Sequence, residues 1–282
     1  MTFPPVLWGF LVTFLWILLT QVLMATVYLA GVRTAPLIEM FAFVVATALI
    51  LQADVRLRPK GMPGVGLRLS RPGLLVFGLI AGVGLAILAS EIDNVVSDRF
   101  PRDNPLAVAN TSDVLPGSDW LRALSVGLVW PIARVLVTIG ISLRCVLVGL
   151  PLEVALVLTA LTFAVFGVDL RAGVPLAVPV IVAGWAYTRS RAIALPIAIL
   201  LPVFSSVWIS VLDLPLSLPG FYPSGDGGPV VFQPLWFDVL GIVLLAVGVG
   251  LLIRAFEGTP TLAALLPRRK SPGEGSDDGS DE

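Results

Sequence analysis

The sequence predicts an all-α protein that crosses a membrane with about eight helices. Of its 282 residues, 57% are hydrophobic and only 13% are charged, whereas soluble domains carry about 25% charged residues. The mean hydropathy is +0.96. The apolar segments are long and contain few charges, which favours helical spans over the alternating pattern of a membrane β-barrel.

Eight apolar segments are long enough to be candidate spans, and we place them as follows: 6–30, 36–52, 73–90, 121–140, 151–168, 172–188, 192–212 and 235–255. The first follows no basic residues and is long enough to cross a bilayer. We therefore expect it to be a transmembrane helix and not a cleaved secretory signal.

The basic residues predict the orientation of the chain. The 53–72 loop contains five of them and only one acid, Asp54, which is typical of a cytoplasmic loop. Counting spans from this loop places further basic residues on the same side: Arg144, Arg189, Arg191, Arg254 and the 268–270 cluster. The acidic loops 91–119 and 213–233 then fall outside. We expect a multi-pass protein of the cell membrane with both termini in the cytoplasm.

Composition divides the chain into three parts. We expect an N-terminal three-helix membrane region with its outer loop at 1–120, a membrane core at 121–256 and a disordered, acidic cytoplasmic tail at 257–282. Asn110 begins an N-x-[ST] sequon in the predicted outer loop. The sequon is either a glycosylation site or a triplet that occurs by chance and is not used. Asp outnumbers Glu 13 to 6 and there are two lysines, a bias that suggests a salt-loving prokaryote.

The residue types restrict the possible chemistry. The chain has no histidine and one cysteine, Cys145, so it has no Ser-His or Cys-His pair and no intramolecular disulfide. The two lysines, Lys60 and Lys270, lie outside the predicted spans, which excludes a Ser-Lys site at membrane depth. We expect Cys145 to be a small buried residue.

The carboxylates near the spans are scattered. Asp169, Asp213 and Asp238 lie near span ends, and Glu39 and Glu153 are each alone near a predicted interface. A metal site generally needs three or more converging ligands. We therefore predict no catalytic residues, no bound metal, no cofactor and no nucleic-acid partner.

Arg134 is the residue that most needs an explanation. It lies in the apolar run PIARVLVTIG at 131–140, and a charge at that depth costs about 2.5–3.5 kcal/mol on insertion scales. Arg134 either holds an anionic group of a lipid or membrane partner, or it is a structural arginine that pairs with interior acceptors or reaches an interface. Pro131 predicts a kink that frees a backbone carbonyl in the same helix.

Three blocks of the second half carry a family resemblance. The first is PIARVLVTIG, the second ALVLTALTFAVFG at 155–167 and the third VAGWAYTRSRAIALPIAIL at 182–200. They resemble, in order, the three motifs of the CAAX-protease and bacteriocin-processing (CPBP, or Abi) intramembrane metalloproteases, over about residues 121–210. The matching positions are Pro131, Ile132, Ala133, Gly140, Phe163, Gly184, Tyr187, Arg189 and Pro196. The resemblance implies a CPBP/Abi-like helical bundle.

The positions that carry the chemistry of that family are replaced. Its first motif needs a glutamate pair, where this chain has Arg134 and Val135, and an arginine, where it has Ile139. Its two histidine positions hold Gly167 and Leu200, and Phe204 stands where the family has Asn or Asp. No active-site role can therefore be transferred.

Three functions remain open at the level of sequence. The first is a pseudoprotease that binds an anionic lipid or a membrane protein in the old active-site cavity. The second is an active intramembrane metalloprotease with unconventional ligands. The third is a small transporter component with Arg134 in its substrate pathway, although the chain shows no internal repeat.

Overall fold

The structure is a computed structural model that describes residues 4–31, 35–58, 62, 64–67, 69–100, 119–165, 173–205, 218–221, 230–259 and 262. Within these ranges every regular element is helical. The prediction of an all-α protein is therefore confirmed for the described part of the chain.

Eight helices make up the described structure: α1 (Pro5–Leu29), α2 (Ala35–Leu57), α3 (Pro72–Arg99), α4 (Trp120–Leu147), α5 (Leu152–Val165), α6 (Ala177–Ser190), α7 (Ala194–Ser205) and α8 (Leu235–Ala255). Five of them, α1 to α4 and α8, are long and apolar enough to cross a membrane. The helices α5 and α7 are apolar but shorter. A helical membrane protein is supported, and the total of eight crossings stays a prediction.

Helix α3 lies between α7 and α8 and contacts both through small residues. A Cβ on Gly78 would lie 2.7 Å from the side chain of Leu195 in α7, and one on Gly248 of α8 would lie 2.4 Å from the backbone nitrogen of Ala81. Small residues let membrane helices approach closely, so that dispersion contacts hold them together without a hydrophobic driving force.

Two hydrophobic clusters fill the bundle. The larger contains residues from every helix from α3 through α8 and includes Leu85, Phe163, Tyr187, Leu200 and Leu252. The smaller lies between α1, α2 and α4 around Trp16, and Trp16 Nε1 also donates a hydrogen bond of 3.0 Å to the hydroxyl of Thr47. Cys145 is fully buried in this second cluster, as predicted.

The two ends of the bundle separate the residues that were predicted for opposite sides of the membrane. At one end, which we call the basic end, Ile193 N donates to Gly66 O at 3.2 Å and Arg189 Nη1 donates to Thr259 O at 3.2 Å. At the other, the acidic end, Asn94 Nδ2 donates to Gly220 O at 2.7 Å. This grouping agrees with the predicted topology, while the assignment of the basic end to the cytoplasm stays a prediction.

Three helices extend beyond their predicted bounds. Helix α2 continues to Leu57 and contains Asp54, and α4 continues to Leu147 and contains Arg144, so both residues lie in helices and not in the predicted loops. Helix α3 continues to Arg99, which places Glu91 within a helix. The stretch that follows position 90 contains no Gly or Pro before position 101 to end the helix.

Several predictions concern segments outside the described residues. These are the Asn110 sequon, the disordered tail, and the positions of Lys60, Asp169, Asp213 and Gly167. The division into parts at 120 and 257 also stays a prediction.

Candidate functional site

The middle of α4 is an unusual helix. Two π-helical stretches, Ser125–Val129 and Leu136–Leu143, flank an α-helical turn at Trp130–Val135. At the first of them the N–H of Trp130 bonds to the carbonyl of Ser125, five residues earlier. Pro131, which has no N–H, follows directly. Interruptions of this kind are frequently found at functional sites.

Arg134 lies in this α-helical turn, near the centre of the helix. It is 14 residues from Trp120 and 13 from Leu147, which corresponds to about 20 Å from either end at the rise of an α-helix. Only 2% of the residue is exposed. Arg134 is therefore buried near the middle of a helix that is long and apolar enough to cross a membrane.

Aromatic rings surround the guanidinium. Its Cζ lies 3.9 Å from the centroid of the Phe163 ring and 4.7 Å from that of Trp130. Phe204 completes the group, with its ring centroid 5.5 Å from Trp130 and 6.1 Å from Phe163. Ring quadrupoles attract a cation at such distances, and the attraction reaches about 2 kcal/mol where water is excluded.

One guanidinium nitrogen of Arg134 has no acceptor within the described part of the chain. Nη2 is sheltered from solvent and has no hydrogen-bond partner there. The salt bridges of the described residues do not include Arg134 either. Because cation–π contacts use ring faces, they leave the in-plane N–H groups free, and these form a planar fork that matches a carboxylate or a phosphate.

The positions aligned with the family's chemistry lie together in the larger hydrophobic cluster. Val135 and Ile139 of α4 and Leu200 and Phe204 of α7 all belong to it, and so does the matching residue Phe163 of α5. Each of these five side chains is buried. Apart from Arg134, the described positions at which that family carries its chemistry therefore hold apolar side chains that can neither transfer protons nor bind metals.

The framework residues of the resemblance have structural contacts. The hydroxyl of Tyr187 donates to Val65 O at 2.9 Å, and Gly140 packs so closely on Val65 that a Cβ would lie 2.7 Å from its side chain. Arg191 directly follows α6 and has a positive φ of 54°. That left-handed conformation favours glycine at helix C-termini.

The carboxylates that the sequence analysis considered do not come together in one place. Glu153 is exposed at the start of α5, and Asp238 lies in the first turn of α8. Glu39 accepts a hydrogen bond of 3.1 Å from the hydroxyl of Ser125, which links α2 to α4 at the acidic end. Among the described residues, no three His, Cys, Asp or Glu side chains come close enough to hold a metal ion together.

The structure also contains an ion pair that the sequence analysis missed. Arg144 Nη2 lies 2.7 Å from Asp54 Oδ1, with both side chains completely buried. Both residues were expected in loops because the predicted spans end at positions 52 and 140. No glycine or proline lies between the ends of the predicted spans, at 52 and 140, and these two residues. This was the signal that both helices continue past the predicted ends.

The chain matches no protein-family model, no curated protein and no solved structure.

Proposed function

We propose that this protein acts in the membrane by binding and not by catalysis, and that Arg134 holds the anionic group of a membrane partner or a lipid. One observation carries the proposal. Arg134 is almost fully buried near the centre of α4, and its Nη2 has no hydrogen-bond partner in the described part of the chain.

The energy of a buried charge supports this proposal. An ion removed from water loses several kcal/mol even after the protein relaxes, unless a counter-charge and hydrogen bonds replace the water. Contacts with Trp130 and Phe163 return about 2 kcal/mol at most for each ring. An anion that accepts hydrogen bonds from the guanidinium would supply the rest of the free energy that the charge loses when it is removed from water.

We further propose that the second half of the chain is a CPBP/Abi-like scaffold that has lost its catalytic residues. The support is the proximity of the three blocks, since Arg134, Phe163 and Phe204 come from different motifs and form one aromatic-lined group. The absence of histidine from the sequence supports a non-catalytic role, because carboxylates alone are poor ligands for the softer divalent metals.

Native mass spectrometry tests the proposal directly. Wild type, Arg134→Leu and Arg254→Leu would be purified from the same membranes and released from the same mild detergent. We expect the wild type to retain a stoichiometric anionic adduct and Arg134→Leu to lose it. Arg254→Leu is the matched control, because Arg254 is an exposed arginine in the last turn of α8.

Two results would contradict the proposal. If Arg134→Leu retained the same adduct as the wild type, the bound anion would lie elsewhere. If Arg134→Leu failed to fold or to insert, the arginine would be structural and the binding role would lose its support.

A further inference from the structure

Gln21 differs from the threonines of α1 in its hydrogen bonding. Thr13, Thr20 and Thr26 each donate to the carbonyl four residues earlier in the same helix. The side chain of Gln21 is exposed and makes no hydrogen bond within the described part of the chain. It lies eight residues before the end of α1 at Leu29, which is about 12 Å along the helix axis. When α1 crosses a bilayer, the amide therefore lies in the hydrocarbon layer, where a polar group without a partner is unfavourable.

The neighbouring helix does not satisfy this amide. Glu39 of α2 lines the same open pocket as Gln21. Its Oε2 accepts the hydrogen bond from Ser125, and no hydrogen bond joins Glu39 to Gln21. A partner for Gln21 must therefore come from outside the described part of the chain.

Gln21 belongs to a stripe of exposed residues on α1. Leu7, Phe14 and Tyr28 share its seven-residue spacing, and each of them is more than half exposed. Seven residues are close to two turns of an α-helix, so these four residues lie along one side of it. Leu18, which is half exposed, flanks the stripe. Two helices pack side by side through a repeat of this spacing, and one polar residue within it fixes their register.

From this arrangement we infer that α1 is the contact through which two copies of this chain form a dimer in the membrane. An amide both donates and accepts hydrogen bonds, so Gln21 and its counterpart in the second copy satisfy each other. A two-fold axis along the membrane normal places the two α1 helices in parallel, with each residue of the stripe opposite its own counterpart. A lipid fits less well, because acyl chains offer no hydrogen bond at this depth. The inference is independent of the role of Arg134.

Förster transfer between donor-labelled and acceptor-labelled copies of the full chain, reconstituted in phosphatidylcholine vesicles, tests the inference. We expect transfer to rise and saturate as the ratio of protein to lipid increases. Gln21→Leu should weaken dimerisation about tenfold, which is in the range for hydrogen bonds between membrane helices. Gln21→Asn keeps an amide and should retain most of the association. Gln52→Leu is the matched control and should dimerise like the wild type, because Gln52 is an exposed glutamine only five residues before the end of α2 at Leu57.

Oxidative crosslinking locates the contact independently of Gln21. Phe14→Cys would be oxidised with copper phenanthroline in the same vesicles, and we expect a disulfide-linked dimer. Val247→Cys, at an exposed position of α8, is the control and should stay monomeric. The native Cys145 is fully buried and should not crosslink in either variant.

Three results would overturn the inference. The first is transfer by the wild type at the level of random encounter. The second is equal dimerisation of Gln21→Leu and the wild type, since the amide would then not hold the two copies together. The third is equal crosslinking of the two cysteine variants, which would mean that α1 is not the contact.

Discussion

Arg144 Nη2 lies 2.7 Å from Oδ1 of Asp54, and both side chains are completely buried. Oδ2 of the same carboxylate lies 3.4 Å from Nε of Arg58, which directly follows the last residue of α2. One carboxylate is thus shared by two guanidinium groups at the basic end. The arrangement ties α2 to α4 through charges that the surrounding side chains shield from water.

We predict that Asp54→Asn destabilises the protein strongly. Removal of one partner from a buried pair leaves an uncompensated charge, which costs about 3–5 kcal/mol. The free energy of unfolding, measured by titration with sodium dodecyl sulfate, would report this loss. Asp98→Asn is the control, because the Asp98–Arg99 pair is 4.0 Å long and more than half exposed on both sides, and such pairs contribute about 0–1 kcal/mol. Equal losses in both variants would contradict the prediction.

The contact between α3 and α8 leads to a second prediction, which compares two glycines of one helix. A Cβ on Gly248 would lie 2.4 Å from the nitrogen of Ala81 and 2.7 Å from its Cα, whereas a Cβ on Gly250 would meet nothing within 4 Å. Gly248→Ala should therefore cost about 1–3 kcal/mol through overpacking. Gly250→Ala should be neutral or should stabilise the helix by up to about 1 kcal/mol.

The same unfolding titration measures this difference. If both alanine variants had equal stability, α3 and α8 would not be in close backbone contact at Gly248.

The sequence predicted the positions of the helices well and the positions of the charges less well. Long apolar runs determine where a helix can lie in a membrane, and each described helix begins within about five residues of its predicted start. The predicted spans end before Asp54 and Arg144, whereas both residues lie inside helices. Two buried charges that pair with each other can lie inside helices, and a pattern of single residues does not reveal the pairing.

The candidate site shows the same limit. The sequence singled out Arg134, and the structure places its guanidinium against the ring of Phe163, which in turn packs near Phe204. The rings around Arg134 and the π-helical turns on either side of it depend on tertiary packing, for which the sequence has no periodic signal. The helical position of Glu91 was missed because polar residues that continue an apolar helix resemble a loop in a hydropathy profile.

A third prediction concerns the non-helical segment between α2 and α3. Gly66 has φ = +72°, and a Cβ there would lie 2.2 Å from the carbonyl oxygen of Arg191. Gly66→Ala should therefore destabilise the protein by more than about 1 kcal/mol, because the left-handed backbone disfavours alanine and the carbonyl cannot move freely. Gly64→Ala should be tolerated, since its Cβ would meet only the end of the flexible Arg58 side chain.

Thermal unfolding in detergent would compare the two variants with the wild type. A stable Gly66→Ala protein would contradict the close approach of this segment to the turn after α6.

Metal analysis of the purified protein tests the non-catalytic reading of the sequence. We expect close to zero divalent ions per chain, because the chain has no histidine and its described carboxylates do not converge in threes. The measurement is elemental analysis after purification in mild detergent without chelators. Occupancy near one ion per chain would contradict the expectation and would favour the intramembrane metalloprotease reading.

The two buried arginines of α4 provide the last prediction. The guanidinium of Arg134 lies against two aromatic rings and its Nη2 has no hydrogen-bond partner in the described part of the chain, whereas Arg144 is paired with Asp54. Replacement of a buried charge by an apolar group of similar size is often neutral or stabilising when no partner is left behind. We therefore expect Arg134→Leu to change the free energy of unfolding by less than about 1 kcal/mol.

Arg144→Leu should cost about 3–5 kcal/mol in the same titration, because it leaves the carboxylate of Asp54 buried with only the longer contact to Arg58. The difference between the two variants separates a binding arginine from a structural one. If Arg134→Leu cost as much as Arg144→Leu, its guanidinium would have an acceptor within the chain, and no external anion would be needed to balance it. The same titration therefore bears on stability and on the proposed function together.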